Sequence, residues 1–383
     1  MLLLGRCARR RFSNSVGIVG MPNTGKSTLF NALTRTQMAL SANYPFATIE
    51  PTCARVPVPD PTLRRFAAVA KSEKVIESQI EFVDIAGLVK GAHKGEGLGN
   101  QFLSNIRECD VLVHVVRCFE DESIIHVEQD GPNPTRDLAT IRNELILADM
   151  AFIEKRLATN SKRKRSSLTA EGQLDCLLGH CLDKLGGGRE CNEEAFANDD
   201  PDVWETVRSF NLLTSKPVVY VMNVDEDCVT SGNGMTIEVV DTIKSAGSKA
   251  QCLPVCIKLE EEAATQADEI AQLDYLSMAG LDETSLQKII SASHSLLSVH
   301  SFFTIGPKEA RAWQIPVGAC AAKAAGQIHS DFEKKFKSAE VIAAKDFPAL
   351  GDFPKARKAG KTRLEGRDYI VQTGDVILFS SAK

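Results

Sequence analysis

The run Gly20-Met-Pro-Asn-Thr-Gly25-Lys26-Ser27-Thr28 has the spacing GxxxxGK[ST], and each of its fixed positions has a task in holding a triphosphate. Glycines let the backbone curl until successive N–H groups converge on phosphate oxygens. Lys26 sets a positive point charge at the β- and γ-phosphates, and the helix expected after it adds its positive end. Ser27 offers a hydroxyl to Mg²⁺, which prefers oxygen ligands and keeps several waters. Asn23, Thr24, Gly25, Lys26, Ser27 and Thr28 are the candidate nucleotide contacts here, with Lys26 also a catalytic group and Ser27 a metal ligand.

Asp84-Ile-Ala-Gly87 ends a later apolar run. A carboxylate at that strand end can hold a magnesium-bound water, and the Gly87 N–H can sense the γ-phosphate. Thr48, between these two motifs, is the candidate switch hydroxyl that closes on the metal. Guanine-specific switches read their base with Asn-Lys-x-Asp, but here the corresponding strand ends in Asn223-Val224-Asp225-Glu226. The lysine is absent and the last carboxylate is one methylene longer. Adenine presents a 6-amino donor and no N1–H, so the Asn223 side-chain oxygen and the Val224 backbone become its expected contacts, with Glu226 at the rim. ATP is expected over GTP, although Asp225 could rescue guanine from a shifted position. Leu88 stands where Ras-like enzymes carry the glutamine that orients water. Two residues could help instead: Asn23, through a bound K⁺, and His126, as a neutral imidazole that accepts a proton. A structural histidine is the plainer reading of His126, and His93 is a weaker candidate.

Short β-branched runs at 16–19, 80–84, 111–116, 218–222 and, more weakly, 253–257 alternate with helical patterns such as 27–33 and 99–107. That alternation implies a doubly wound α/β fold with a mostly parallel sheet, and a proline-bounded edge strand is expected at 53–59. From about 140 to 210 the strand signal gives way to two helical stripes, Leu145/Ala148/Phe152/Ile153 and Leu174/Leu177/Leu178/Cys181/Leu182/Leu185. They read as an inserted helical hairpin, and the basic run at 162–165 between them as a solvated turn or a phosphate-backbone contact. Strands expected at 302–305, 313–317 and 376–379, with a helix at 328–336, suggest a small α+β domain over 301–383. The division is thus an extension 1–14, an α/β domain 15–300 with its insertion, and the C-terminal domain.

The net charge of −5 gives no global basic field, so DNA is not an expected partner. No apolar stretch reaches the ~18 residues of a membrane span, and a monomer is expected. Eleven cysteines in no CxxC pair fit free thiols in a reducing compartment. The group Cys176, His180, Cys181 and Cys191 fits no common zinc spacing. The first acidic residue is Glu50, while Arg6, Arg9, Arg10 and Arg11 precede it, which reads as a mitochondrial transit peptide.

GIVGMPNTGKSTLFNALT, NYPFATIEP, FVDIAGLVKGAHKGEGLGNQFLSNIRE, HVVRCFED, NVDE and RAWQIPVGACAAKAAGQIHSDFEKKF together resemble the Obg-like ATPase (YchF) family over nearly the whole chain. The resemblance implies a P-loop G domain with a coiled-coil insertion and a C-terminal TGS domain of β-grasp fold. It also implies an Mg²⁺-dependent ATPase that takes GTP less well and is linked to ribosomes and stress responses. By position, nucleotide contacts fall on Asn23 to Thr28 and Val224, and metal contacts on Ser27 and Thr48. The family points to the cytoplasm, the Arg-rich start to the mitochondrial matrix. Two other functions share these residues: a GTPase of ribosome assembly or translation, and a nucleotide-gated scaffold whose turnover is incidental.

Overall fold

The computed structural model describes residues 14–41, 53–85, 98–124, 131–161 and 170–381. Thr48, Gly87, Leu88, His93, His126, the basic run at 162–165 and the Arg-rich start lie outside the described residues. Along the chain run β1 (Ser15–Val19), β2 (Cys53–Pro57), β3 (Lys74–Ile76), β4 (Gln79–Asp84), β5 (Val111–Arg117), β6 (Val218–Asn223), β7 (Cys252–Val255), β8 (Val299–Ile305), β9 (Glu309–Pro316), β10 (Phe336–Ile342), β11 (Arg363–Glu365) and β12 (Val376–Ser381). The helices that position the site are α1 (Lys26–Ser41), α2 (Pro61–Ala70), α3 (Leu98–Glu108), α4 (Pro134–Ser161), α5 (Ala170–Gly186), α6 (Pro201–Ser209), α7 (Gly234–Ser245) and α8 (Ile257–Ala263).

The chain divides into two compact units, Met1–Val56 with Glu81–Leu296, and Pro57–Ile80 with Leu297–Lys383. The first holds a six-stranded sheet in the order β2-β4-β1-β5-β6-β7. Its β1–β4, β1–β5, β5–β6 and β6–β7 pairs are all parallel, and β2 takes the edge that its prolines suggest. The central strands β1 and β5 are buried at every residue, which is why they read as continuous apolar runs rather than alternating ones. Register brings Ile18 opposite Asp84, Val19 opposite His114, and Arg117 opposite Asn223. The phosphate loop, Asp84 and Asn223 therefore leave the sheet at one edge, the carboxyl ends of its strands, where open α/β sheets bind ligands.

The insertion is more than a hairpin. Ile146 and Ile153 of α4 and Leu178, Cys181 and Leu185 of α5 share a core with Phe196 and with Val207 of α6. The front of α4 belongs elsewhere: Ile141, Leu145 and Ala148 pack with Leu103 and Ile106 of α3 in the α/β core. One helix thus serves two cores, and the stripe read as a single packing face divides between them.

In the second unit the sheet order is β11-β10-β12-β8-β9-β3. A β8–β9 antiparallel pair sits beside two parallel pairings, β12–β8 and β3–β9. Helix α2 starts with Asp60 accepting from Thr62 N and Leu63 N and with Pro61 at its first turn, and ends at left-handed Lys71. It buries Leu63, Phe66 and Ala67 against Phe303 and Phe347. The boundary expected near residue 300 is therefore incomplete, because residues 57–80 also belong here. The helix expected over 328–336 is corrected too. His329 at φ −160 breaks it after Ile328, a short helix spans Ser330–Lys334, and Phe336 opens β10.

Candidate functional site

Two glycines shape the phosphate loop. At Gly20 a Cβ would lie 2.5 Å from the Val115 carbonyl oxygen, so the loop can leave β1 against β5 only without a side chain. Gly25 sits at φ +100, and a Cβ there would come within 2.7 Å of Asn223 Nδ2. Between them Asn23 is left-handed at φ +61 and exposed on the lip. Thr24 Oγ1 donates to the Met21 carbonyl at 3.0 Å, and Lys26 Nζ donates to the same oxygen at 2.7 Å. The loop is held in its curl by its own side chains before any phosphate is considered.

Lys26 is buried, and burial lowers its pKa to about 8, with Asp84 pulling the other way. Ser27 Oγ donates to Asp84 Oδ2 at 3.1 Å, which joins the two motifs that the sequence leaves 57 residues apart. The other oxygen, Asp84 Oδ1, is buried with no hydrogen-bond partner. Burial raises the Asp84 pKa, against the Ser27 hydrogen bond and Lys26. A hydroxyl and a carboxylate with an uncommitted buried oxygen form a hard-oxygen donor set, and they fit Mg²⁺. On β5, His114 is buried and burial, then Lys26, depresses its pKa to about 3. It is a neutral imidazole with its ring 5.4 Å from Tyr220.

At the base-reading end Asn223 carries a second task. Asn223 is buried, its Nδ2 donates 3.0 Å to the Thr24 carbonyl, and its Oδ1 accepts from Ile257 N–H at 3.2 Å. The residue read as a base contact is also a bridge between the phosphate loop and the start of α8. Any base contact through it uses the second lone pair of Oδ1. Val224 is buried as well, and its N–H donates to the Val255 carbonyl at 3.0 Å. Asp225 and Glu226 are exposed at the start of a 3₁₀ turn.

Arg117 escaped the sequence reading. Its side chain is 1% exposed and donates to the carbonyls of Phe119, Asp121 and Ile124 at 3.2, 3.0 and 3.1 Å. An arginine ending an apolar run beside a turn was the available signal. The structure does bring Cys181 and Cys191 together in the insertion core, while Cys176 is exposed. Among the described residues no group of three or more His, Cys, Asp and Glu could hold a metal ion.

Two family models match the chain. One, described as a 50S ribosome-binding GTPase, covers residues 15–140, and the YchF-GTPase C-terminal model, described as a protein of unknown function, covers 299–381. The "Ribosome-binding ATPase YchF" of Pasteurella multocida is 45% identical over 368 residues, 95% of this chain and 98% of that protein. Its Bacillus subtilis namesake is 44% identical over 376 residues, with the same 95% and 98% coverage. Among solved structures, the Schizosaccharomyces pombe YchF GTPase superposes with a TM-score of 0.84 at 34% identity, over 97% of this chain and 99% of that one. The doubly wound P-loop fold expected from the sequence is the fold these relatives share.

Proposed function

The chain belongs to the YchF family, and from that premise we propose that it is an Mg²⁺-dependent P-loop ATPase that works on the ribosome. The observation that carries the reading is the junction of Lys26, Ser27 and Asp84: a buried ammonium, a hydroxyl and a half-committed carboxylate at the mouth of one glycine-shaped loop.

The main-chain N–H groups from Asn23 to Thr28, which run into the first turn of α1, bind the α- and β-phosphate oxygens. Lys26 turns from the Met21 carbonyl to the β- and γ-oxygens. Ser27 Oγ and, through water, Asp84 would hold Mg²⁺, which when bound neutralises charge on the β- and γ-phosphates. The protein's contribution is positioning and electrostatic stabilisation of an in-line attack by water. Thr48, Gly87 and His126 are the proposed switch hydroxyl, γ-phosphate sensor and proton acceptor, and Asn23 the proposed K⁺ contact.

For the base we infer ATP over GTP: adenine's amine faces the Val224 carbonyl and the second lone pair of Asn223, and no Asn-Lys-x-Asp clamp is present. The matched P-loop model and the yeast structure both carry the word GTPase, so the base is the point to measure. Phosphate release and affinity are compared for ATP and GTP, with and without Mg²⁺, in K⁺ and in Na⁺. Tighter and faster use of GTP would replace this reading with the GTPase. Co-sedimentation with ribosomes at rising salt tests the partner, and light scattering the proposed monomer. Nucleotide-gated ribosome binding that survives unchanged in a hydrolysis-dead variant would select the scaffold.

A further inference from the structure

We propose that Arg107 is a positioning residue, acting through α3 and α4, that couples the nucleotide site to the helical insertion. The inference rests on the P-loop ATPase reading above.

Asp149 lies on α4 and is fully buried. It accepts from Leu213 N–H at 2.9 Å, Thr214 N–H at 2.8 Å, Thr214 Oγ1 at 2.9 Å and Arg107 Nη2 at 3.2 Å. Arg107 stands in the last turn of α3. Its Nη1 donates to Asn211 O at 3.1 Å, and its guanidinium lies 4.4 Å from the ring centroid of Phe152, one turn beyond Asp149 on α4. One planar cation thus holds α4 by charge and by stacking, and holds the 211–216 segment by a second contact. A lysine could not make all three at once. The same helix end is fastened from below: Lys216 Nζ and Asn211 Nδ2 both donate to Arg107 O, at 3.0 and 3.1 Å, and Lys216 also donates to Cys109 O.

This cluster touches the nucleotide site along two lines. First, α3 is the helix that follows Asp84 in the chain, and the helix after a DxxG shifts with the γ-phosphate in nucleotide switches. Second, the segment gripped by Asp149 leads into β6, whose last residue Asn223 holds Thr24 O in the phosphate loop. On the other side, α4 runs on into the insertion core through Ile153, and Thr214 Oγ1, which donates to Asp149, also accepts from Cys191 N–H at 3.3 Å. Asp149 is buried, Arg107 is half-buried, and the pair is discretely bonded, so a displaced α3 must either carry α4 with it or break the fork. A purely structural pin would stabilise the fold equally in every nucleotide state. A coupling residue makes the insertion respond to that state.

The chain has two tryptophans. Trp204 stacks on Phe196 in the insertion core, so Trp313→Phe leaves a single reporter there. In that background, Trp204 emission is compared with saturating Mg²⁺ plus a non-hydrolysable ATP analogue against Mg²⁺ plus ADP, beside fluorescent-nucleotide affinity and phosphate release. The parent should show a state-dependent difference. Arg107→Ala should bind nucleotide within about threefold of the parent while the Trp204 difference and kcat each fall by about fivefold or more, the lower end of ordinary coupling factors. Should Arg107→Ala fail the far-UV dichroism check, Arg107→Lys serves, expected to fold and to lose about half of the difference, since its point charge keeps Asp149 but drops Asn211 O. A parent that binds and hydrolyses ATP with no Trp204 response, or a folded variant that keeps the full response, overturns the coupling and leaves the ATPase intact. A parent that binds no ATP overturns the ATPase reading itself.

Discussion

At the phosphate end of the site, recognition belongs to the main chain and to side chains whose partners lie in the loop or one strand away. Lys26 and Thr24 share the Met21 carbonyl, and Ser27 bonds Asp84. At the base end the residue that looks like the reader, Asn223, has its amide engaged on both sides by Thr24 O and Ile257 N–H, while Asp225 and Glu226 face solvent. The first end is specified by charge and backbone curl, which tolerate either purine. The second must draw its preference from one main-chain carbonyl, a spare lone pair and exposed carboxylates. Chemistry and specificity should therefore separate by mutation: changes at the phosphate end hit ATP and GTP alike, and only changes at the base rim move their ratio.

The largest expected effect tests the first half. Lys26→Ala should lower phosphate release by at least about a hundredfold for both nucleotides, because the ammonium faces charge that develops in the transition state. Retention of more than a tenth of the parent rate would remove Lys26 from the chemistry.

A pH titration sharpens the same half. Burial brings Lys26 to about 8. Below that pH the free protein already carries the charge and nucleotide affinity is flat. Above it, binding must take up a proton, so affinity should fall about tenfold per unit, equally for ATP and GTP, up to the pKa in the complex. Stability without nucleotide should move the opposite way. The unfolded lysine holds its proton up to about 10.5, so between pH 8 and 10.5 the unfolded state binds more protons and stability rises with pH. Isothermal titration from pH 7 to 9, with urea unfolding beside it, checks both slopes. Parallel slopes would mean that Lys26 is not the group responsible.

Asn223→Ala attacks the bridge between the two ends. It strands the Thr24 carbonyl and the Ile257 N–H, a loss on the order of 1–3 kcal/mol when buried partners go unpaired. Both affinities should drop by about tenfold, near 1.4 kcal/mol, through the lost bridge, with a smaller further loss for ATP alone because adenine also uses the spare Oδ1 lone pair. A fall confined to ATP would make the amide a reader of the base and no bridge, and the contrast between the ends would blur.

Legibility followed the same division. The phosphate loop declared itself because two glycines and a lysine at fixed spacing have no cheaper use, and the apolar runs at β1 and β5 are continuous because both sheet faces are covered. The role of Asn223 was hidden, since sequence gives a residue type and not the carbonyl its amide meets. The assignment of residues 57–80 was hidden for a different reason. Strand β3 pairs with β9 through Lys74 and Glu309, and Phe66 packs on Phe303 and Phe347, so the information sits more than two hundred residues away while α2 alone looks like any amphipathic helix. At His329 the helix expected over 328–336 meets an extended backbone, and the His329 ring nitrogen instead accepts from Asp331 N–H at the start of the next short helix.

The smallest expected effect is at the rim, and it decides whether the base end has any side-chain reader. Glu226 ends the run where guanine switches place an aspartate, and Glu226→Asp shortens that arm by one methylene. An aspartate there can accept from guanine N1–H and its 2-amine together, and adenine offers neither donor. The site is exposed, so water competes, and Val224 still stands where the lysine would, so the gain for GTP should be only about threefold, well under the 1.4 kcal/mol that a tenfold change requires. ATP affinity should hold, because the proposed contact of its amine is with the Val224 carbonyl and not the carboxylate. A ratio that stays fixed while both affinities hold would move the whole preference onto the main chain at Val224. A ratio that inverts would make Glu226 the gatekeeper and leave the Val224 carbonyl a bystander.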